Sequence, residues 1–396
     1  MTIQEAVQTA LEKNPNLQRT EKAIDVAEES LKIAKGNKNF SVSATSGGNI
    51  SKTEGTEESE SISGRISGSL PIYSGKKLES QIKSAELEID AAKFLFNQAK
   101  DDLVHDVATA YVNALETLAE SKVYLETEEN LAEHEKNISA LYDAGAKAKI
   151  DLLRAQVETS NAEQNTAKSR AAYEVNLTNL ATLMSLQKIS GLTVEEFQTS
   201  LEMEEIENFL TKADENRNNL KADEIKIDQG EVDIEIAKSG KRPTLSAEIS
   251  ASLDAHSREW HLTPSASAGI NANWNIFDSG ITKAQIQSAE IELERLQLAM
   301  KTDIDSVHEE VITAYKNLKI ALTRIKTTQK AVALAEEERF IATEKYRAGE
   351  GILLDVLDAE VSLTEAKKNH VSAYHDVIRY RLNLAHAIGD TLSVIN

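Results

Sequence analysis

Apolar residues recur at helical spacing along two long stretches of the chain. Val104, Val107, Ala108, Tyr111, Leu115 and Leu118 fall on one helix face, and Val311, Ile312, Tyr315, Leu318, Leu322 and Ile325 form a second such stripe. The stripes are narrow, like coiled-coil seams, and predict helices packed on partners in this chain or in another. All four prolines, Pro15, Pro71, Pro243 and Pro264, lie outside 72–242 and 265–396, so these Ala-, Glu-, Lys- and Leu-rich runs carry no helix breaker. The run from Lys76 to about Leu141 would make a helix of roughly 100 Å at ~1.5 Å per residue.

Elsewhere the period is two, which predicts strands. Phe40, Val42 and Ala44 share one face of the first strand. Ile62, Ile66, Leu70 and Ile72 share a face of the second, with Ser61, Ser63, Ser67 and Ser69 between them. Leu245, Ala247, Ile249, Ala251 and Leu253 mark a third, and Ala266, Ala268, Ile270, Ala272, Trp274 and Ile276 a fourth. One greasy and one polar face suit a tilted outer-membrane strand, and also a small soluble sheet with its apolar face covered. The connections 51–60 and 255–264 are long and polar, as outward loops would be. Phe40, Tyr73, Trp274 and Phe277 fall near the helix-proximal strand ends, where an aromatic girdle belongs. Four strands cannot close a membrane barrel, and an open edge in lipid is too costly to persist. Two chains would give a narrow eight-stranded barrel, and three a wider twelve-stranded one.

The chain is a duplication. "YDAGAKAKIDLLRAQVET" from Tyr142 and "YRAGEGILLDVLDAEVSL" from Tyr346 stand 204 positions apart, which aligns Gly145 with Gly349 and Asp151 with Asp355. "QIKSAELE" at Gln81 and "QIQSAEIE" at Gln285 keep that shift, whereas Ala34 and Ala44 match Ala237 and Ala247 at 203. Repeat 1 covers 1–200: a helix, a hairpin at about 38–73, a long helix at about 76–141, a turn at about 142–150 and a helix to about 185. Repeat 2 covers 201–396: a helix, a hairpin at about 243–277, a long helix at about 281–346, a turn at about 347–353 and a helix to about 388. Gly145 and Gly349 suit tight turns or helix C-caps, because positive φ costs glycine little.

Composition narrows the function. Only 5% of the 396 residues are aromatic and 41% hydrophobic, lean for large compact cores. A net charge of −21 argues against nucleic acid as a partner. With no cysteine there is no disulfide framework or thiolate metal site. The opening "MTIQEAVQTALEKNP" lacks the character of an export leader, as expected of a cytoplasmic chain or of a mature form whose signal has been removed. No window is apolar enough for a spanning helix. The eight histidines show no metalloprotease spacing, and neither a nucleotide-binding glycine loop nor a nucleophile elbow is present, so no enzyme and no cofactor are expected. His256 and His261 share a loop and read as ordinary solvated residues rather than ligands.

Two helical repeats, each with a hairpin before a long helix and a "YxAG" turn before a helix containing an aspartate, resemble the outer membrane efflux protein family over roughly residues 2–390. The resemblance implies a mainly α fold with a small β part. It implies a homotrimer in which four strands per chain build a twelve-stranded transmembrane barrel, contacting outer-membrane lipid and continued by a periplasmic α-helical barrel with a closed tip. Residues 186–202 and the C-terminal segment would form a belt. The function implied is an exit duct for a tripartite efflux or type I secretion system. Its partners would be a periplasmic adaptor, the membrane fusion protein, and an inner-membrane transporter of RND, ABC or MFS type. The two "YxAG" turns would form the tip, with Ala144, Gly145, Leu152, Ala348, Gly349 and Val356 docking the adaptor. Asp355 and Asp358, three apart on one helix face, would form two carboxylate rings that select cations and bind a divalent ion. Taken alone, Asp355 also fits the ordinary role of a carboxylate at a helix N-terminus. Asp151 and Tyr346 match a closing network. The arginine that completes that network in the family is replaced by Gly351, leaving Lys147, Lys149, Arg154 and Arg347 as candidate substitutes.

Two other readings stand against the duct: a soluble coiled-coil scaffold, and a helical pore former that inserts from solution. A scaffold does not need alternating strands, and such a pore former does not need duplicated turns.

Overall fold

The computed structural model describes residues 1–52, 59–194, 203–256 and 261–395. In chain order the elements are α1 (Ile3–Lys13), α2 (Pro15–Gly36), β1 (Ser41–Ser51), β2 (Ser59–Tyr73), α3 (Lys77–Asp143), α4 (Lys149–Leu183), α5 (Ile206–Asn216), α6 (Asn218–Lys238), β3 (Thr244–His256), β4 (Thr263–Asn273), α7 (Ile281–Arg347), α8 (Leu353–Ala387) and α9 (Leu392–Ile395). The fold is mainly α with one small sheet. The duplication is visible in the lengths: α3 and α7 have 67 residues each, and α4 and α8 have 35 each.

One helix is expected before each hairpin, and the structure has two. Asn14 is extended because the ring of Pro15 disfavours helical backbone in the residue before it. Its side chain then caps α2: Oδ1 accepts from the amides of Asn16 and Leu17, and Nδ2 donates to the Leu183 carbonyl at 2.9 Å. Arg217 makes the equivalent break between α5 and α6. It is extended and buried, with its guanidinium 3.1 Å from the Glu310 carboxylate.

The sheet is antiparallel in the order β1-β2-β3-β4. Ser43, Ser67, Ser250 and Ser267 align across it as a polar row, with Ser43–Ser67 and Ser250–Ser267 hydroxyl pairs at 2.9 Å. The adjacent row is apolar: Ala44, Ile66, Ala251 and Ala266. Gly68 leaves room on that face for the Phe40 ring, which any side chain at position 68 would meet.

Three expectations for the sheet need correction. β4 stops at Asn273, so Trp274, Ile276 and Phe277 belong to the connection before α7. There the Trp274 indole donates to the Lys241 carbonyl at 3.0 Å, and the Asp278 carboxylate accepts from the amides of Gly280 and Thr282. These bonds draw the chain off the ladder and start the helix. A register shift between Pro71 and Tyr73 places Tyr73 opposite Leu245 and removes Ile72 from the alternation, as expected where proline cannot donate to the ladder. The strands also run into the expected loops, since Ser51, Ser59, Ala255 and Thr263 are all in the ladder. Residues 53–58 and 257–260 of those loops lie outside the described residues, as do 195–202 of the expected belt.

Among the described residues of one chain nothing covers the sheet. β1 and β4 are exposed along their whole length, and Val42, Ile66, Ile249 and Ile270 on the apolar face are each more than half exposed. No described helix is long and apolar enough to cross a membrane, a test that does not apply to strands.

The chain forms two compact units, and each takes segments from both repeats. One comprises Met1–Arg19, Phe96–Asn218 and Ile304–Asn396, and the other Thr20–Leu95 and Asn219–Asp303. The first is built on Ile3, Val7, Val104, Val107, Tyr111, Leu180, Met184, Ile378 and Leu382. The Tyr111 hydroxyl donates from this core to the Met1 and Thr193 carbonyls. Arg379 bridges Glu116, Asp376 and Asn113, so α8 is tied to α3 by a hydrogen-bonded charge network. In the second unit Gly230 of α6 lets that helix approach α7, where a Cβ would stand 3.1 Å from a Leu293 methyl.

Asn14→Ala removes a cap and leaves the Leu183 carbonyl unpaired. It should weaken this junction by about 1–2 kcal/mol, read as faster amide exchange at Asn16 and Leu17 with the long helices unaffected.

Candidate functional site at the two helical turns

α3 and α7 each end in the same motif. At the first turn the amide of Ala146 donates to the Leu141 carbonyl and that of Gly145 to Tyr142, both at 2.8 Å. At the second the amides of Glu350 and Gly349 donate to Lys345 and Tyr346, at 2.9 and 3.1 Å. This pair of bonds is the Schellman C-cap, which needs a left-handed residue after the helix. Gly145 and Gly349 supply it, with φ of +76° and +79°.

Beneath the turns the two repeats pack differently. Ile138, Ala155, Tyr346, Leu353, Val356 and Leu357 form a buried cluster, with Leu131, Leu152 and Ala342 at its edge. Tyr346 is 8% exposed, whereas its repeat mate Tyr142 is half-exposed. Lys149, the mate of buried Leu353, is exposed. Identical turns therefore cap unlike interiors.

The structure sorts the residues expected at this site. Tyr346 is brought against His134, ring centres 5.5 Å apart, and Lys147 Nζ lies 4.1 Å above the tyrosine ring. Of the four basic candidates, Lys147 alone makes a described contact with Tyr346. Arg347 pairs with Glu344 at 2.9 Å, while Lys149 and Arg154 are exposed. Gly351 has a positive structural role: a Cβ there would stand 3.1 Å from the Tyr346 amide nitrogen and 3.2 Å from Lys345. An arginine could enter only if the turn gave way. The Tyr346 hydroxyl is buried and has no hydrogen-bond partner among the described residues, so no Asp151–Tyr346 bond forms there. Asp151 is half-exposed at the start of α4.

Asp355 and Asp358 both stand exposed on α8, on the side away from buried Leu353, Val356 and Leu357. Ala144, Gly145, Ala348 and Gly349 are exposed at the turns. Val356 and Leu152, expected among the docking residues, instead belong to the cluster and its edge, and Val356 has no surface to offer a partner. Sequence reasoning overlooked His134 and an open groove between α4 and α8. Ile150, Leu153, Val157, Leu354 and Val361 line that groove, together with Arg154, Glu158 and Asp358. The signal was present in both cases: apolar positions at helical spacing on α4, and the 131, 134, 138 spacing that places His134 on a buried face.

Farther along the same helices lies a polar seam. Asn130 donates to the buried Glu360 carboxylate at 3.1 Å, Arg339 reaches it at 3.5 Å, and the Thr127 and Thr364 hydroxyls pair at 2.8 Å. Among the described residues, no group of three acidic or histidine side chains is arranged to hold a metal.

Duplicated long helices, glycine-capped turns and a hairpin sheet with an uncovered apolar face define an outer-membrane channel protein. The profile of the family described as outer membrane efflux protein matches residues 6–185 and 209–390, and the chain belongs to that family. It is 25% identical to Nodulation protein T of Rhizobium leguminosarum bv. trifolii, over 97% of this chain and 84% of that one. It is 22% identical to Outer membrane protein TolC of Vibrio cholerae, over 99% and 91%. The match to TolC of Escherichia coli, at 23%, spans 72% of this chain and 61% of that one. Among solved structures the fold superposes on CusC with a TM-score of 0.86 at 17% identity, covering 98% of this chain and 92% of that one. For the Campylobacter jejuni CmeC outer membrane channel the TM-score is 0.83 at 16% identity, covering 98% and 86%.

Gly145→Ala and Gly349→Ala should each cost about 1 kcal/mol. A Cβ at either position meets nothing within 4 Å, so the cost is conformational alone. Amide exchange should rise in the altered turn and stay unchanged in the other.

Proposed function

We propose that the chain works as a homotrimeric exit duct in the outer membrane, passing small molecules or proteins outward from an inner-membrane transporter and a periplasmic adaptor. The observation that carries this reading is the sheet: its apolar face is uncovered, and β1 and β4 both end in free edges. Backbone groups on a free edge have no partner in hydrocarbon. Three copies joined edge to edge give twelve strands, remove every edge and leave a lumen lined by the serine rows. Phe40, Tyr73, Trp274 and Phe277, all substantially exposed, supply the girdle where the barrel meets the periplasmic interface.

The two capped turns are the periplasmic tip. Asp355 and Asp358 face away from their own chain's core and, repeated three times, form two carboxylate rings across the entrance. The exposed Ala144, Gly145, Ala348 and Gly349 at the turns receive the adaptor. Conduction is passive, the transporter supplying the energy. Opening moves α7 and α8 against α3 and α4 as packed bodies.

The test is conduction in planar bilayers. Asp355→Ala with Asp358→Ala should reduce the preference for cations over anions and weaken block by divalent ions added on the tip side. Unchanged selectivity and unchanged block would remove the carboxylate rings from the account.

A further inference from the structure

Two polar atoms at the tip are buried without a hydrogen-bond partner among the described residues: the Tyr346 hydroxyl and His134 Nε2. Their rings lie 5.5 Å apart at 53°, with the Lys147 ammonium on the same tyrosine ring. A neutral imidazole is tolerable in such a place, but a charged one has no carboxylate to receive it. We propose that His134 is an acid-sensing gate residue: while neutral it packs on Tyr346 and holds the two turns together, and when protonated it drives them apart. The proposal rests on the reading that these turns are the closed end of the duct.

The surroundings of the imidazole support this element by element. From α7 come Tyr346 and Arg347, the latter already paired with Glu344. From the first turn comes Lys147. To the cluster that holds Tyr346, α8 contributes apolar Leu353, Val356 and Leu357, and its nearest acidic residue along the helix, Asp355, is exposed. α4 adds Ala155 to the same cluster, with Asp151 half-exposed in its first turn. On α3 itself Glu133 and Glu135 flank the histidine in sequence. Burial, then the charges of Arg347 and Lys147, hold the imidazole below its ordinary value of 6.5. The sign follows from linkage. A histidine kept neutral in the packed state favours that state fully above pH 6.5, and the preference is lost as pH falls from 6.5 through the lowered value. Acid therefore opens the tip. The second repeat carries the exposed Glu338 at the equivalent position, so the device belongs to one seam in each chain.

The experiment uses the whole protein in detergent and in planar bilayers, titrated from about pH 7.5 to 5.5, near the range in which histidine changes charge. Amide exchange in the peptides 131–158 and 342–357, corrected for intrinsic chemistry, should rise in the wild type by up to about tenfold by pH 5.5, the most that one histidine can contribute one pH unit below its ordinary value of 6.5. His134→Gln should abolish the rise. Lys147→Gln keeps the histidine but removes one opposing cation, and it should shrink the rise. Channel opening should follow the same titration. An acid response that is equal in wild type and His134→Gln, or no response in the wild type, overturns the proposal. If exchange at the tip responds as expected while conductance does not, the histidine switch stands and the assignment of these turns as the gate fails.

Discussion

An unpaired β edge cannot persist in hydrocarbon, and every large feature of this chain follows from how that constraint is met. Four strands with an apolar face make a sheet too narrow to close and too greasy to leave in water. The solution available to one polypeptide is to let other copies supply the missing strands. Gly68 beneath the Phe40 ring and the bulge at Ile72 shape the sheet locally. The serine rows keep its other face polar enough to meet water. What a closed barrel then needs is a means of joining its lumen to a source of cargo, and the 67-residue helices that follow each hairpin are suited to that.

Duplication gave the chain two copies of each part, and the copies have since taken different roles. Both turns keep the glycine cap, because a left-handed residue is required wherever a Schellman motif ends a helix. Their interiors differ: Tyr346, Leu353, Val356 and Leu357 are buried, while Tyr142, Lys149 and Leu153 are more exposed. Repeat 2 thus supplies most of the buried cluster beneath the turns, with Ile138 and Ala155 of repeat 1 completing it, while both repeats line the groove between α4 and α8. The compact units also cut across the repeats, because a helix stripe too narrow to make a core of its own must pack on the other half of the chain.

The long helices, the turns and the hairpins were legible from periodicity because each carries a strong repeated signal: a helical stripe, a period of two, or a glycine at a cap. What was not legible depended on single side chains in three dimensions. The break at Asn14 required seeing that a residue before proline could also cap the next helix. β4 ends at Asn273 although its alternation continues to Ile276, since the Trp274 and Asp278 hydrogen bonds outweigh pattern. At the two turns, the acidic pair and Tyr346 were singled out by the resemblance to the family rather than by the residues alone. That Val356 faces inward, that Lys147 lies on the tyrosine ring, and that Gly351 is held tight against Lys345 and Tyr346 could not be foreseen, because spacing alone does not say which of two adjacent helices a residue meets.

The central claim is that several copies close one barrel, and the most direct test is the mass of the purified protein in detergent, by light scattering with the detergent contribution subtracted. The account predicts a protein mass near three times the 43.5 kDa chain, unchanged on dilution. A monodisperse monomer that stays in solution without detergent would contradict it, for then the sheet would be stable with both edges and its apolar face in water.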